Sequence, residues 1–524
     1  MKCHGFAAQD GFQFVAADPM PEPDPAPHAA LALEAVLALR AAVSREGATT
    51  YRAWRERIER TSFAASALNL AHYLALRSRD LRPLQRQLMP LGISSLGRLE
   101  GRTLASLDAV AVALAALART DRAVPRAPDP RQFFRGEARL GANAAQVLGP
   151  PVPGRAGRIM VTLPSEAADD AAFVARLAWR GTEIVRINCA HDGPKRWSAM
   201  VANARRAATM SGAPLRVLMD LAGPKVRTGK VATPADRSHV FVGDTIFLGR
   251  ELCRPFKRAP FQMTCTEPGV LDRLAAGAAV SIDDGALQGA VSGAHRDGFL
   301  VRIAHGKLGG VKLKAEKGLN FPDTDLGLDP LTDKDRDDLD FIVRNADLIG
   351  YSFVQTAGHI AALQAELAAR SAAWRTIPVL GKIETPVAVR NLPEIIVEAA
   401  GRQPFGVMIA RGDLAVEMGF ERVAEMQEEI LWVCEAAQVP VVWATQVLED
   451  LVKSGLPSRG EMTDAAMAAR AECVMLNKGP NVLTAVEVLD RLLRRMAEHQ
   501  VKKTPTLRAL RAWERRVPVP AGAD

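Results

Sequence analysis

The sequence predicts an α/β fold, a closed (β/α)8 barrel of the TIM type that carries a small β-rich lid domain inserted after strand 3 and an α-helical module at the N-terminus. The first observation is that short β-rich segments alternate after residue 158 with helical segments of roughly 10–15 residues. Such alternation is typical of right-handed βαβ units in a parallel sheet. The eight predicted strands are residues 159–163, 183–187, 216–220, 348–353, 379–383, 406–410, 440–443 and 473–476.

The second observation is the long connection after the third strand, residues 226–316. Its segments HVFVGDTIFLG, AAVSIDDGALQGAV and GFLVRIAHG alternate apolar and polar residues and are separated by Gly and Asp, as in short strands joined by turns. The barrel segments on either side, 158–225 and 317–498, together have about 250 residues, the usual size of such a barrel.

The remaining segments have their own compositions. Residues 1–28 contain PMPEPDPAPH, which predicts a disordered start, and 29–120 show the three- and four-residue apolar spacing of a helical module. Prolines cluster again in 121–157, which predicts a linker, and 499–524 form a C-terminal tail. The helical module either covers an apolar barrel surface or binds an effector or a partner.

The helix after the insert illustrates the local signals. In LTDKDRDDLDFIVRNA, Thr332 can serve as N-cap, and Asp333 and Asp335 lie in the first turn, where the helix dipole favours negative charge.

Composition excludes several classes of protein. The 67 Lys and Arg exceed the 59 Asp and Glu by 8, an excess that is too small over 524 residues to indicate nucleic-acid binding but that fits an enzyme for anionic substrates. The sequence shows neither a secretory signal nor an apolar run near the ~20 residues of a membrane span. The six cysteines are scattered. We therefore expect a cytoplasmic protein with neither a membrane nor a nucleic acid as its partner.

Candidate functional residues lie where the predicted strands end, because active sites of such barrels form at that face. Lys382 and Glu384 lie two residues apart on one strand, so both side chains point into the barrel mouth. Asp413 follows the neighbouring strand, roughly 5 Å away. Two carboxylates there form a hard-oxygen site suited to Mg²⁺ or Mn²⁺. The alternative is a purely structural Lys–Glu pair.

Cations surround the same mouth. Arg186 and Arg227 lie near strand ends, and Lys317 lies at the far end of the insert. Each alone is an ordinary surface charge, but three cations that face a metal site indicate phosphoryl transfer, which depends mainly on positioning and charge neutralisation.

These segments resemble the motifs of the pyruvate kinase family over residues 158–498. The matching strings are DLAGPKVRTG, SIDDG, KGLNFPDTDLGLDPLTDKDRDDL, GKIETP, MIARGDLAVE and VVWATQVLEDL. The resemblance implies Mg²⁺-dependent transfer of a phosphoryl group from phosphoenolpyruvate to ADP, giving pyruvate and ATP in glycolysis. It also implies a homo-oligomer.

The resemblance implies a role for individual residues. Glu384 and Asp413 would bind the divalent ion, Lys382 would stabilise the transferring phosphoryl group and the enolate, and Thr445 would lie near the methylene carbon that receives a proton. Arg186 would act in catalysis and, like Thr445, in substrate binding. The other implied substrate or nucleotide contacts are His191, Arg227, Lys317, Ser352 and the backbone of Gly412.

A histidine and an acidic turn each have two alternative interpretations. His191 either orients a phosphate or is a loop residue satisfied by the backbone. Asp283-Asp284-Gly285 fits a type I′ hairpin turn, and the alternative is a lid carboxylate that meets nucleotide-bound metal.

The potassium site of the family is altered here. Asn188 and Asp220 match its monovalent-cation ligands, but Ala190 replaces the usual serine. Lys225 stands where potassium-dependent members have glutamate, so its ammonium could occupy the place of the ion. We therefore expect that K⁺ is not required.

The chain departs from the family at two further places. The loop that follows the eighth strand, Asn477-Lys478-Gly479-Pro480, replaces LSGETA and loses its acidic residue, which predicts reduced or altered activity. The family's C-terminal regulatory domain is not expected after the last barrel helix. Two alternatives therefore stay open: a pyruvate-enolate lyase or hydrolase on the same barrel, and a catalytically impaired regulatory protein.

Overall fold

Eight parallel strands close into a barrel in the computed structural model, which describes residues 24–254, 256–502 and 504–505. This confirms the predicted fold class. The barrel strands, each paired with its neighbours in chain order, are β1 (Arg158–Thr162), β2 (Ile184–Asn188), β3 (Arg216–Asp220), β4 (Leu348–Tyr351), β5 (Val379–Ile383), β6 (Phe405–Ala410), β7 (Val441–Ala444) and β8 (Cys473–Leu476).

Helices surround the strands and precede them. Those before the barrel are α1 (Ala26–Trp54), α2 (Thr61–Arg77), α3 (Arg82–Leu88), α4 (Thr103–Leu117), α5 (Pro130–Phe133) and α6 (Arg135–Leu148). Those of the barrel are α7 (Ala171–Trp179), α8 (Pro194–Ser211), α9 (Asp333–Asn345), α10 (Ala357–Arg370), α11 (Pro386–Arg390), α12 (Leu392–Ala400), α13 (Arg411–Met418), α14 (Phe420–Ala436), α15 (Glu449–Ser454), α16 (Arg459–Ala468) and α17 (Val482–Ala497).

Helix α9 begins as its sequence indicates. The Thr332 hydroxyl accepts the backbone N–H of Asp335, and the Asp335 carboxylate accepts the N–H of Thr332 in return, which forms a capping box. Leu339 and Ile342 turn inward and are buried.

The insert forms a seven-stranded sheet with its own hydrophobic core. Its strands, in spatial order, are Leu319–Asn320, Ala279–Ile282, Leu287–His295, Gly298–Gly306, Thr245–Gly249, Phe261–Cys265 and Thr228–Ala232. His239–Val240 pairs separately with Val311–Lys312. The sheet therefore extends a few residues beyond the predicted end of the insert at 316, because Leu319 pairs with Ile282.

The N-terminal helices share a continuous apolar core with the barrel. The Trp54 indole donates to Glu394 Oε1 (2.8 Å) on α12, and Asn69 donates to the carbonyl of Ala436 (2.8 Å) at the end of α14. The guanidinium of Arg77 lies 4.7 Å from the ring centre of Trp432. The helical module thus covers an apolar surface of the barrel, which is the first of the two alternatives that the sequence left open.

Helix α1 is unusually long and apolar. Within the described residues, the segment Ala26–Arg57 is long and apolar enough to span a membrane by length and composition alone. It packs against α2 and α4 in the structure, with Ala32, Leu33 and Val36 buried. Of the segment 1–28 that is predicted to be disordered, residues 1–23 lie outside the described residues. The last three residues of that segment are already helical, because α1 begins at Ala26.

The stretch 121–157 is not the simple linker that its prolines predict, because it contains α5 and α6. Val147 and Leu148 of α6 pack with the interior residues at the N-terminal end of the barrel. The Arg158 guanidinium donates to the carbonyl of Gly149 (2.9 and 2.8 Å), and Arg216 donates to that of Val147 (2.9 Å), so both satisfy carbonyls at the end of the helix. Helix α6 closes the bottom of the barrel.

A glycine on α6 tests this packing. A Cβ atom on Gly136 would lie 2.0 Å from the carbonyl oxygen of Gly101, whereas one on Gly141 of the same helix would meet nothing within 4 Å. We expect Gly136→Ala to lower the free energy of unfolding by about 1–3 kcal/mol. Gly141→Ala should raise it by up to ~1 kcal/mol, because alanine loses less chain entropy in a helix. Denaturant unfolding of both variants measures the difference, and equal stabilities would contradict this account of the contact.

Candidate active site

A buried lysine occupies the centre of the C-terminal face of the barrel. The Nζ of Lys382, on β5, lies 3.0 Å from Oε1 of Glu384 and 3.4 Å from Oδ2 of Asp220, and it donates to the hydroxyl of Ser352 (2.8 Å). Burial alone would lower the pKa of this ammonium, but the carboxylates of Asp220 and Glu384 outweigh that effect and raise it. Lys382 is therefore a fixed cation at the barrel mouth.

Asp220, at the end of β3, is the main partner of Arg186 on β2. The Arg186 Nε donates to Asp220 Oδ2 (2.9 Å), and its Nη1 donates to the hydroxyl of Thr162 (3.1 Å). Burial would raise the pKa of the Asp220 carboxyl, but Lys382 and Arg186 together hold it below its ordinary value. The second oxygen of Asp220 is buried and has no hydrogen-bond partner in the described part of the chain.

Glu384 is almost completely buried just after β5. Its Oε2 accepts the backbone N–H of Phe353, whose φ of +54° lies in the left-handed region. Burial raises the pKa of the Glu384 carboxyl, the nearby charge of Asp413 raises it further, and Lys382 opposes both. The two carboxylates are therefore close enough to interact.

Asp413 lies in the first turn of α13, directly after β6. Its Oδ1 is 2.8 Å from the Nζ of Lys225, which follows β3 on the other side of the mouth. Arg411 fixes the turn, since its guanidinium binds Asp464 and donates to the carbonyls of Ala444 (3.1 Å) and Thr445 (2.6 Å).

Thr445, after β7, faces the same turn. Its hydroxyl accepts the backbone N–H of Gly412 (2.7 Å), and its φ of +64° is unfavourable for a β-branched residue. Gln446 follows with a φ of +54°. This strained turn is typical of functional sites, and it holds Thr445 beside Gly412 and Asp413.

The lid cations are held differently. The Nζ of Lys317 pairs with Asp283 within the lid (2.9 Å), and the Arg227 guanidinium donates to the carbonyl of Glu316 (3.1 Å). The hydrogen bond with Asp283 raises the pKa of the Lys317 ammonium. The acidic pair Asp283-Asp284 lies in a turn with φ values of +56° and +52°.

His191 and Asn188 lie toward the outer side of the mouth. Both line a small cavity with Ser165, Asp192 and Lys478. The Asn188 side-chain oxygen accepts the backbone N–H of Ala190 (3.1 Å).

The structure thus gathers Lys382, Glu384, Asp220, Arg186 and Ser352 into direct contact, with Asp413 adjacent. A contact that the sequence reasoning missed is that of Glu417 with the lid residue Asn320, which donates to it (2.8 Å). Glu417 lies four residues after Asp413, on the same face of α13, and that spacing was the available signal.

The donor set fits a hexacoordinate hard cation that takes few protein ligands. Among the residues that the structure describes, no group of three or more His, Cys, Asp or Glu side chains forms a metal cage. Mg²⁺ typically binds through one or two carboxylates and completes its shell with water and substrate oxygens, and Glu384 and Asp413 match that pattern.

Comparison with known proteins shows which proteins this chain is similar to. A family model described as pyruvate kinase, barrel domain, matches residues 154–480. A pyruvate kinase of Methylorubrum extorquens is 30% identical over 71% of this chain and 73% of its own length. Pyruvate kinases of Dictyostelium discoideum (28%) and Geobacillus stearothermophilus (31%) are matched over 64% and 60% of this chain, which spans 65% and 51% of their lengths.

A solved structure is also similar. The crystal structure of a pyruvate kinase from Cryptosporidium parvum matches with a TM-score of 0.58 and 26% identity, covering 67% of this chain and 72% of that one.

Proposed function

Because the chain belongs to the pyruvate kinase family, we propose that it transfers the phosphoryl group of phosphoenolpyruvate to ADP, giving pyruvate and ATP. The observation that carries the proposal is the convergence of Lys382, Glu384 and Asp413, with Arg186 beside them, at the C-terminal face of a closed barrel. We further propose that the reaction takes place in the cytoplasm, as a step of glycolysis, in a homo-oligomer.

The transfer breaks the bond between phosphorus and the enol oxygen of the substrate and forms a bond between phosphorus and a terminal oxygen of ADP. Negative charge develops on the enol oxygen and on the phosphoryl oxygens. Lys382, whose pKa is raised, stays charged and faces both. Arg186 offers a planar guanidinium to a phosphate oxygen, and Asp220 keeps that guanidinium in place.

Glu384 and Asp413 would hold Mg²⁺ or Mn²⁺. When it is bound, the ion neutralises phosphoryl oxygens and helps to orient them. Lys225 contacts Oδ1 of Asp413. We therefore propose that Lys225 and the metal ion share this carboxylate, or that Lys225 moves away from Asp413 during the catalytic cycle.

The enolate that remains must gain a proton at its methylene carbon. The Thr445 hydroxyl lies at the C-terminal face of the barrel, where it accepts the backbone N–H of Gly412. We assign it the positioning of that proton delivery. The lid contacts the barrel through the hydrogen bond that Asn320 donates to Glu417. In this proposal the lid excludes water during the transfer.

A coupled assay tests the proposal. With phosphoenolpyruvate, ADP and Mg²⁺, we expect equal amounts of pyruvate and ATP. Pyruvate without ATP would indicate the hydrolase or lyase alternative, and no turnover would indicate a regulatory protein.

Potassium dependence is a separate prediction. The side chain of Lys225 lies beside the acidic mouth, in contact with Asp413, and Ala190 has no side-chain oxygen to bind a monovalent ion. We expect the same rate with and without K⁺ in an assay free of other alkali cations. Lys225→Glu should make the rate depend on K⁺, whereas Lys230→Glu, an exposed control in the lid, should not. A many-fold activation of the unaltered protein by K⁺ would contradict the prediction.

A further inference from the structure

A pocket of about 280 Å³, counting its open mouth, lies between the N-terminal module and the barrel. Ser62 lines it from the start of α2, Gln146 lines it from α6, and Phe405 lines it as the first residue of β6. The barrel strands all run in the same direction, so the pocket lies at the end of the barrel where strands begin. Lys382, toward the end of β5, lies at the other end. The pocket is therefore separate from the candidate active site.

Arg60, the residue just before α2, is the only charged residue among those that line the pocket. Its Nη1 donates to the carbonyls of Ala400 (3.1 Å) and Gln403 (2.7 Å). Its Nη2 donates to the side-chain oxygen of Gln146 (3.2 Å). These bonds use both N–H groups of Nη1 and one of Nη2. Within the described structure, the N–H of Nε and the second N–H of Nη2 therefore remain available to a ligand.

The guanidinium of Arg60 has no acidic partner in the part of the chain that the structure describes. The carboxylate of Glu59, its neighbour in sequence, is already paired with Arg375 (2.6 Å) and Arg402 (3.0 Å). Burial lowers the pKa of the Arg60 guanidinium, which indicates that its charge is partly removed from water. A partly desolvated cation without a counter-ion is unfavourable, and a bound anion offsets that cost.

The other lining residues indicate what kind of anion fits. The pocket has a polar side, formed by the Ser62 hydroxyl and the side-chain amides of Asn143 and Gln146. Its apolar side consists of nearly fully buried side chains, those of Phe63, Val147, Phe405 and Val439. A single cation balances a single negative charge, and the apolar side requires a ligand with a carbon body.

We propose that this pocket binds a small organic monocarboxylate with a short apolar body, and that Arg60 holds the carboxylate through its available N–H groups. The planar guanidinium matches the geometry of a carboxylate. Such a ligand contacts α2, α6 and the start of β6 together, so its binding stabilises the association of the module with the barrel. The module then has both roles that the sequence left open, because it covers the barrel and forms part of an effector site.

Ligand-observed proton NMR titration of the full chain with isobutyrate tests the site. The decisive variant is Gln146→Glu, which places a carboxylate where the side-chain oxygen of Gln146 already accepts Arg60. It supplies an internal counter-ion and keeps every bond from Arg60 to a carbonyl, so the fold is retained. We expect it to weaken isobutyrate binding by about 10-fold or more. Arg60→Lys, which keeps the charge but not the planar fork, should also weaken it, by about 5-fold.

Two kinds of control accompany the titration. Gln132→Glu makes the same chemical change at an exposed residue of α5 that does not line the pocket, and it should leave isobutyrate binding unchanged. Isobutyramide has the shape of isobutyrate without its charge, and we expect it to bind at least about 10-fold more weakly. Inorganic phosphate, followed by its ³¹P linewidth, should bind equally to the unaltered chain and to Gln146→Glu.

Three results would overturn the proposal. Isobutyrate binding that is unchanged in Gln146→Glu would place the carboxylate elsewhere on the protein. Equal affinity for isobutyramide and isobutyrate would show that the charge of Arg60 is not used. Loss of phosphate binding in Gln146→Glu would indicate a general anion site instead of a carboxylate site. None of these measurements requires turnover, so they remain decisive even if the chain forms no ATP.

Discussion

Lys382→Met is expected to reduce kcat for ATP formation by about 10²–10³-fold or more. The ammonium is the one cation in contact with both Glu384 and Asp220 within the described site, so in the proposed reaction no other group takes its place beside the enolate. Methionine keeps most of the side-chain volume without the charge. The measurement is single-turnover formation of ATP from phosphoenolpyruvate.

Loss of a buried cation also costs stability, up to about 3–5 kcal/mol for a broken buried pair. Arg155→Met is the matched control, because Arg155 is also a buried cation and pairs with Glu183 and Asp490 just before β1. We expect both variants to be destabilised but only Lys382→Met to lose turnover. If Arg155→Met lost as much activity, the effect would be one of folding.

Glu384→Gln and Asp413→Asn are expected to weaken Mn²⁺ binding by at least about 10–100-fold each. Each amide keeps the shape of the side chain and removes the charge that attracts the ion. Electron paramagnetic resonance of free Mn²⁺ measures binding directly, without turnover.

Glu183→Gln provides the control for the metal experiment. Glu183 is also a buried carboxylate, but it lies just before β2, at the opposite end of the barrel, where it accepts the N–H of Ile159 (2.8 Å). Its substitution should leave Mn²⁺ binding unchanged. Equal Mn²⁺ affinity in all three variants would show that Glu384 and Asp413 do not bind the metal ion.

Much of the barrel was predictable because buried parallel strands have a strong local signature. Three of the predicted strands, 216–220, 379–383 and 473–476, have the observed bounds, and the others differ by one or two residues at their ends. Side-chain alternation on β5 was also enough to place Lys382 beside Glu384.

A helix and two ion pairs could not be predicted from the sequence, because tertiary contacts determine them. The sequence analysis did not predict α6, because the prolines in 121–157 suggested a linker. The helix is short and amphipathic, and its apolar residues Val147 and Leu148 are buried by packing against the N-terminal end of the barrel. The spacing could not show that Lys225 reaches Asp413, or that Lys317 pairs with Asp283 inside the lid. Such pairs join residues far apart in the chain, so only the closed barrel and the folded lid determine them.

A crystal structure of the full chain grown with Mn²⁺, with the ion located by its anomalous scattering, tests the central claim most directly. The account predicts one strong peak bound by a carboxylate oxygen of residue 384 and one of residue 413, at about 2.0–2.2 Å from each, with the ammonium of residue 382 nearby. An ion bound elsewhere, with those two carboxylates too far apart to share it, would contradict it.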